Sequence, residues 1–222
     1  MKFIKNKSPL VIFSIMLFVV LNPGISFSQF KLGITTGINM TSISGDAPED
    51  AGYSKGTGLV FGLTGEYNIT RDLIINIQPR YVQKKGKIYY EVNKEDPVDS
   101  FETELDYISL PLILKIPALT SITFFNGGID ISYLSKASIR NIIGESIEKD
   151  MTDNLNQFDL SFLFGFGLSF KVFKNVKLDA EARYTQSVSN LGKNTELIFN
   201  GALPERFRSS GLQLLTNIYY TF

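Results

Sequence analysis

The residues best suited to a functional site are charged side chains placed at every second position of strand-like segments. Lys177, Asp179, Glu181 and Arg183 form the clearest stripe, with successive members about 6.6 Å apart on one strand face. Further charges on the same face of other segments are Lys31, Glu66, Arg80, Lys115, Asp130 and Asp159. Lys84 falls on that face as well. Because a charge removed from water needs a partner, we predict a buried ion-pair network, with a narrow proton or ion path as the alternative.

Catalytic chemistry lacks its usual side chains in this sequence. The chain contains no His and no Cys, so the commonest general base and the thiolate metal ligand are both missing. A Ser–Lys pair is the one obvious nucleophile system, and no motif supports it. Carboxylates are frequent between residues 91 and 106 but lack the spacing of a calcium loop. We expect no enzyme activity, no catalytic residue, no metal site and no cofactor.

The 22 basic and 22 acidic side chains balance, so the chain carries no basic field for nucleic acid. Its N-terminus is typical of a secretory signal peptide. Lys2, Lys5 and Lys7 precede an apolar run over residues 10–21, which is too short to span a bilayer, and Ser26 and Ser28 suit a cleavage site. We predict a signal peptide over residues 1–28 and one exported domain over residues 29–222.

Period-2 alternation predicts eight strands in that domain. The segments are residues 31–40, 58–67, 73–81, 107–116, 128–133, 159–170, 177–184 and 212–222. The connections over residues 68–72, 117–121 and 172–175 are short, whereas those over residues 41–56, 86–100, 141–157 and 189–206 are long. In an up-and-down meander the short turns therefore share one end and the long loops the other. This layout is typical of an eight-stranded antiparallel transmembrane β-barrel with periplasmic turns and extracellular loops.

Alternation does not say which face is inside, and a secreted lipocalin-like barrel has the same period. The polar face is rich in Gly, Ser and Asn, which fit the narrow lumen of eight strands. Tyr residues near the ends of the apolar face suit an aromatic girdle: Tyr67, Tyr81, Tyr133, Tyr184 and Tyr220. The pattern therefore favours a barrel in the cell outer membrane, with its apolar face toward lipid and its lumen filled by side chains.

Two prolines fall inside predicted strands, Pro79 and Pro111. A closed barrel has no edge strand, so each proline should remove a ladder hydrogen bond. Counted from their turns, both prolines lie at similar heights on adjacent strands. We expect a local gap in the ladder there, with the two prolines placed diagonally.

Two groups of residues suggest contacts outside the barrel. Lys84, Lys85 and Lys87 lie where the third strand would leave the membrane, and phosphorylated lipopolysaccharide is the partner that suits them. Ile218, Tyr220 and Phe222 give the last strand an aromatic, lipid-facing end. Such an end resembles the signal read by the barrel-assembly machinery, which pairs with a strand edge.

Six segments carry a resemblance to a known family. Two of them are LIINIQPRYVQKKGK at residues 73–87 and LDYISLPLILKI at residues 105–116. They are followed by GGIDISYLSKA, FLFGFGLSF, LDAEARYTQSVSNL and the terminal LQLLTNIYYTF. In sequence and in order these segments resemble the PorT-like outer-membrane β-barrel proteins of Bacteroidetes. Arg80 stands where Glu is commoner, so no role is carried over to it.

The resemblance implies an eight-stranded outer-membrane barrel and does not imply one activity. One branch of the family is associated with a secretion machinery. We therefore expect a structural or interaction role through the extracellular loops, whose partner the sequence does not name. Membership of a secretion or transport complex, or a narrow pore for ions or small solutes, is the alternative.

Overall fold

The computed structural model describes residues 29–45, 51–90, 99–118, 122–141, 148–192 and 207–221. Within these ranges the strands are β1 Phe30–Gly45, β2 Ala51–Asn68, β3 Ile74–Ile77, β4 Arg80–Tyr90, β5 Asp99–Pro117, β6 Thr123–Asn141, β7 Glu148–Asp150, β8 Phe158–Phe173, β9 Val176–Ser187 and β10 Phe207–Thr221. A 3-10 turn covers Thr152–Asn154. None of the described residues belongs to a helix long and apolar enough to cross a membrane. The predicted signal peptide, residues 1–28, lies outside the described residues.

The strands form a closed antiparallel ring with eight positions. β3 and β4 together fill one position between β2 and β5, and the three-residue β7 pairs with β6. β1 pairs with β10 from Lys31↔Thr221 to Gly45↔Phe207, which closes the ring. The predicted eight-stranded up-and-down barrel is thus confirmed. Closure is required in lipid because an open edge would leave backbone groups without hydrogen bonds.

The barrel has the opposite polarity of a soluble protein over most of its length. Leu63 on β2 is 62% exposed, whereas the next residue, Thr64, is 1% exposed. The same contrast repeats along β8, where Phe162, Phe164 and Phe166 face outward and Asp159 and Ser161 face inward. An outer wall of large apolar side chains needs lipid around it, so the lipocalin-like alternative is wrong.

The two strand prolines together explain why β3 and β4 are separate. Gln78 donates its backbone N–H to Pro111 O at 3.3 Å, and Pro111 cannot return that bond. On the other side Leu63 N donates to Pro79 O at 2.9 Å, and Pro79 cannot return it. Pro111 therefore removes one ladder bond between Gln78 and β5, and Pro79 removes one ladder bond to Leu63 on β2. Register places Pro79 diagonal to Pro111, because Ile77 pairs with Leu112 and Arg80 with Ser109, and the predicted gap is confirmed.

The two ends of the barrel differ in their connections. At one end, which we call the turn end, tight turns follow β2 and β8. Residues 118–122 follow β5 at the same end, and 119–121 among them lie outside the described residues. At the opposite end, the hairpin end, strands continue well into the predicted loops: β1 reaches Gly45, and β2 and β4 pair up to Ala51↔Tyr90. The predicted loop boundaries at residues 41–56 and 86–100 are therefore wrong. Neighbouring strands satisfy the backbone there, so no strand has to end at the membrane surface.

Candidate functional site

The lumen near the turn end holds three lysines around two carboxylates. Lys115 Nζ lies 2.5 Å from Glu66 Oε1 and 2.6 Å from Asp179 Oδ2. Lys177 Nζ lies 2.8 Å from Glu66 Oε2 and 3.2 Å from Asp179 Oδ2, and Lys31 Nζ lies 3.2 Å from Glu66 Oε2. Strand register builds this cluster, because Lys31 and Glu66 are direct cross-strand partners on β1 and β2. We call these five residues the lysine cluster.

Two aromatic rings cover the lysine cluster from within the lumen. Lys115 Nζ lies 4.1 Å from the centre of the Phe124 ring, and Lys177 Nζ lies 4.7 Å from that of Tyr219. Such contacts stabilise a cation that has lost its water. Gly167 makes room for Phe124, since a Cβ there would come within 2.3 Å of the ring. The predicted fit of small lumen residues to a narrow interior therefore has a concrete cause at this position.

Two arginine–carboxylate pairs fill the middle of the lumen. Arg80 Nη2 lies 2.9 Å from Asp130 Oδ2, and Ser109 donates to the same carboxylate. Arg183 Nε donates to Glu181 Oε1 at 2.9 Å and Arg183 Nη1 to Gln78 Oε1 at 3.1 Å. Asn126 and Asn217 also donate to Glu181. All four charged side chains are almost fully buried, so each charge is held by partners rather than by water.

A third pair, Lys84 with Asp159, lies closer to the hairpin end. It corrects the expectation that Lys84 contacts lipopolysaccharide. Lys84 Nζ lies 2.7 Å from Asp159 Oδ2 and donates to Ser209 Oγ at 3.0 Å. Ser187 Oγ donates to Asp159 Oδ1 at 2.5 Å. Lys84 is 7% exposed and is therefore unable to contact lipopolysaccharide. Alternate residues of β4 point inward, and Lys84 is one of them, as the alternation in the sequence indicates.

The hairpin end contains an apolar core that the sequence analysis missed. Nine buried residues form it, which we call the apolar plug: Ile43, Leu105, Tyr107, Leu134, Ala137, Ile139, Met151, Leu155 and Leu191. A β-bulge on β6 helps to build it, because Asp106 pairs with Lys136 while Tyr107 pairs with Leu134, leaving Ser135 extra. The bulge lets Leu134 and Ala137 both point inward. The break in alternation at residues 134–137 is the sequence signal that could have revealed it.

The segment after β7 is tied down over the plug by specific hydrogen bonds. Met151 N donates to Ala137 O at 2.9 Å, and Ala137 N donates to Thr152 Oγ1 at 3.0 Å. Asp150 Oδ1 accepts from Thr152 N at 2.8 Å and from Thr152 Oγ1 at 2.7 Å. These bonds from Thr152 lower the pKa of Asp150 below its usual range. These hydrogen bonds hold the segment against β6, next to the plug.

The outer face at the hairpin end is polar and charged. Lys85 Nζ lies 3.1 Å from Glu104 Oε2, and Tyr81 Oη donates to Asp106 Oδ1 at 2.6 Å. Lys87 is exposed, and its cross-strand neighbour is Glu102. On β6 and β7, Lys136 and Arg140 pair with Glu148, whose pKa is lowered chiefly by the hydrogen bond from Lys136. The described residues contain no group of three or more acidic side chains arranged to hold a metal.

The predicted assembly signal lies partly within the described residues. Ile218 and Tyr220 face outward on β10, 42% and 49% exposed, while Tyr219 between them is buried in the lumen. Phe222 lies outside the described residues. Aromatic contacts also join strands on the outer wall: Phe61 with Tyr81, Tyr133 with Phe158, and Phe164 with Tyr184.

The fold and its outer surface agree with a family of known proteins. A family model described as an outer membrane protein beta-barrel domain matches residues 21–192. The chain belongs to this family. The family and the apolar outer wall place the protein in the cell outer membrane, so the turn end faces the periplasm and the hairpin end faces the outside.

Solved structures similar to the chain are also outer-membrane barrels. Neisserial surface protein A is 18% identical, with 88% of this chain and 98% of that chain covered and a TM-score of 0.45. Ail, the attachment invasion locus protein of Yersinia pestis, is 16% identical, with 86% and 99% covered and a TM-score of 0.45. Outer membrane protein W of E. coli is 10% identical, with 88% and 98% covered and a TM-score of 0.43. A search of curated proteins found no match.

Proposed function

We propose that the protein is a closed, non-conducting barrel of the outer membrane that acts through its extracellular hairpins. The observation that carries this proposal is the double obstruction of the lumen. Arg183 and Glu181 fill its middle, and the apolar plug fills its hairpin end. Eight strands leave an interior that side chains can fill, so an aqueous path would need both obstructions to move.

Conductance of the purified mature protein in a planar bilayer tests the closed state. We expect no discrete current steps, since a bare ion would have to displace a paired buried charge and then cross an apolar layer. Regular, selective steps would support the narrow pore instead. If steps occur, Lys115→Gln, which changes the lysine cluster, is compared with Lys87→Gln on the outer face. Steps altered only by Lys115→Gln would pass through the lumen and overturn the closed state.

The interaction role is supported by the shape of the hairpin end. β2, β4 and β5 extend their ladders beyond the tyrosines on the outer wall. Among the side chains that the structure describes there, the outer faces carry Lys55, Lys85, Lys87, Glu102, Glu104 and Asp106. A charged rim of this kind presents polar contacts outside the membrane. We propose that it contacts a partner at the cell surface.

Site-directed photo-crosslinking in intact cells tests this role. Probes at Lys87 and Arg140, both exposed at the hairpin end, are compared with a probe at Asp72 in the first turn. We expect discrete protein or glycan adducts from the hairpin positions and none from Asp72. Adducts from Asp72 alone would favour a complex assembled in the periplasm, such as a secretion machinery, and contradict our proposal.

Two finer proposals are membership of the PorT-like branch and contact with lipopolysaccharide. The segment matches described above support membership of the PorT-like branch. Lys85 and Lys87, on the outer face of β4, support contact with lipopolysaccharide. Lys85 already pairs with Glu104, so we expect Lys87 to make the stronger contact. Lys87→Glu should weaken retention of lipopolysaccharide through detergent extraction, whereas Lys149→Glu on β7 should not. Equal retention by all three proteins would remove this contact.

A further inference from the structure

The turn end holds a cavity that the proposed function does not use. It has a volume of about 550 Å³ and lies between the start of β1, the end of β10 and the turn from β8 to β9. The polar side chains around it include Lys31, Ser169, Lys171, Lys174, Asn175 and Lys177. Lys31, Ser169 and Lys177 are on the inward face of their strands, so this cavity is the periplasmic mouth of the lumen.

Positive charge exceeds negative charge at this mouth. Within the part of the chain that the structure describes, Lys31, Lys115 and Lys177 share two carboxylates, those of Glu66 and Asp179. Lys171 and Lys174 have no ion-pair partner among the described residues. Among the described residues, the mouth and the cluster beneath it thus hold three more lysines than acidic side chains. The other buried pairs of the lumen, Arg80–Asp130, Arg183–Glu181 and Lys84–Asp159, are each balanced.

Strand register makes the excess locally unfavourable. Lys171 on β8 and Lys177 on β9 are direct cross-strand partners, and Lys174 lies in the two-residue turn between these strands. Like charges directly opposite each other destabilise an antiparallel pair. Lys177 is relieved by Glu66 and Asp179, but Lys171 is not. An anion in the cavity would turn this repulsion into attraction for all three lysines.

We propose that this mouth binds a phosphate group, carried either by an anionic phospholipid of the inner leaflet or by a soluble phosphorylated solute. Lysines supply charge to phosphate oxygens, and the Ser169 hydroxyl and the Asn175 amide supply further donors. Ile122 and Val176 give the cavity an apolar wall. Val172 and Phe173, 49% and 69% exposed at the end of β8, add apolar surface beside the mouth, where the acyl chains of a bound phospholipid would lie.

The test uses the mature barrel with two variants of equal charge change. Lys171→Gln/Lys174→Gln alters the mouth, and Lys87→Gln/Lys149→Gln alters exposed lysines at the hairpin end. Native mass spectrometry measures retention of cardiolipin and phosphatidylglycerol against phosphatidylcholine. Calorimetry in neutral detergent measures binding of inorganic pyrophosphate, glycerol 3-phosphate and citrate.

We expect the mouth variant to bind its phosphate ligand about tenfold more weakly or worse, and the hairpin-end variant to bind as the parent does. Retention of anionic lipid with no binding of the soluble phosphates identifies a lipid head group. Binding of pyrophosphate or glycerol 3-phosphate without lipid selectivity identifies a soluble solute. The proposal is overturned if the parent binds neither class, if both variants lose binding equally, or if citrate binds as tightly as pyrophosphate.

Discussion

The two ends of the lumen are closed by opposite kinds of side chain. Near the turn end the interior is ionic, with Glu66 and Asp179 bound by lysines, and the outer wall is apolar. At the hairpin end the interior is the apolar plug, and the outer wall carries charged residues such as Lys87, Lys136 and Arg140. β5 and β6, which run from one end to the other, therefore reverse their polarity along their length.

The reversal follows from what surrounds the wall. Within the membrane the outer face contacts lipid, so the polar residues of each strand are left to the lumen and must pair there. Beyond the membrane the outer face contacts water, so burial of apolar side chains inside becomes favourable, as in a soluble domain. Tyr81, Tyr133 and Tyr184 lie on the outer wall where the change occurs, which suits an interfacial girdle. The hairpin end is in effect a small soluble core built on a membrane barrel.

The largest effect should come from breaking the ionic end at its centre. Glu66 is fully buried and contacts Lys31, Lys115 and Lys177. Glu66→Ala leaves three lysines with one carboxylate, and we expect the free energy of unfolding to fall by about 3–5 kcal/mol. Urea titration in lipid vesicles measures it. Glu102→Ala on the outer face is the control and should change stability little; a similar loss in both would mean that Glu66 is not buried among cations.

Glu181 tests the same principle in the middle of the lumen. Glu181→Ala leaves Arg183 without its carboxylate and removes the acceptor used by Asn126 and Asn217. The expected loss is again about 3–5 kcal/mol. The double variant Glu181→Ala/Arg183→Met should recover part of it, because the uncompensated charge is gone. A double variant less stable than the single one would show that the loss does not arise from the unpaired cation.

The apolar end should respond as a soluble core does. Leu155 is 2% exposed and lies in the plug. Leu155→Ala should cost about 2–4 kcal/mol by removing buried area and leaving a cavity. Val188→Ala on the exposed face is the matched control. Unfolding of the hairpin end should then precede loss of the membrane barrel, seen as earlier protease cleavage at unchanged barrel mobility on gels. Simultaneous loss of both would mean that the two ends are one cooperative unit.

The smallest expected effect is the pH dependence of local stability at Asp150. Asp150 accepts two bonds from Thr152, which lower its pKa below the usual 3.8. A carboxyl whose pKa is lower in the folded state stabilises that state above the unfolded pKa, and the effect disappears as pH falls through the folded pKa. Asp150→Asn should therefore accelerate hydrogen exchange at the Met151 amide at neutral pH and make no difference at very low pH. An equal acceleration at all pH values would point to lost geometry rather than lost charge.

How far the sequence predicts this molecule can be judged strand by strand. Alternation assigned Leu63 to the lipid side and Thr64 to the lumen, and it predicted the closed ring, because side-chain period and face are local properties. The ladder gap at Pro79 and Pro111 followed from the missing N–H of proline. These features depend only on residue type and on the order of strands.

Height along the barrel was not predictable in the same way. Alternation does not say where a strand leaves the membrane, so the pattern predicts loops at residues 41–45 and 86–90, which in the structure continue β1 and β4. The bulge at Ser135 depends on the register between β5 and β6, and the plug needs residues from β1, β5, β6 and two connecting segments. The sequence predicts two environments for Lys84, because its charge suits lipopolysaccharide while its position in the strand suits the lumen.

The reversal of polarity is tested most directly at two adjacent residues of β6. The chain contains no Cys, so single substitutions report without background. Ala137 is 0% exposed within the plug, and Lys136 beside it is exposed on the outer face. On intact cells a charged, membrane-impermeant thiol reagent should label Lys136→Cys rapidly and leave Ala137→Cys unlabelled until the protein is unfolded. Rapid labelling of Ala137→Cys in the folded protein would show an open, water-filled mouth and contradict the account.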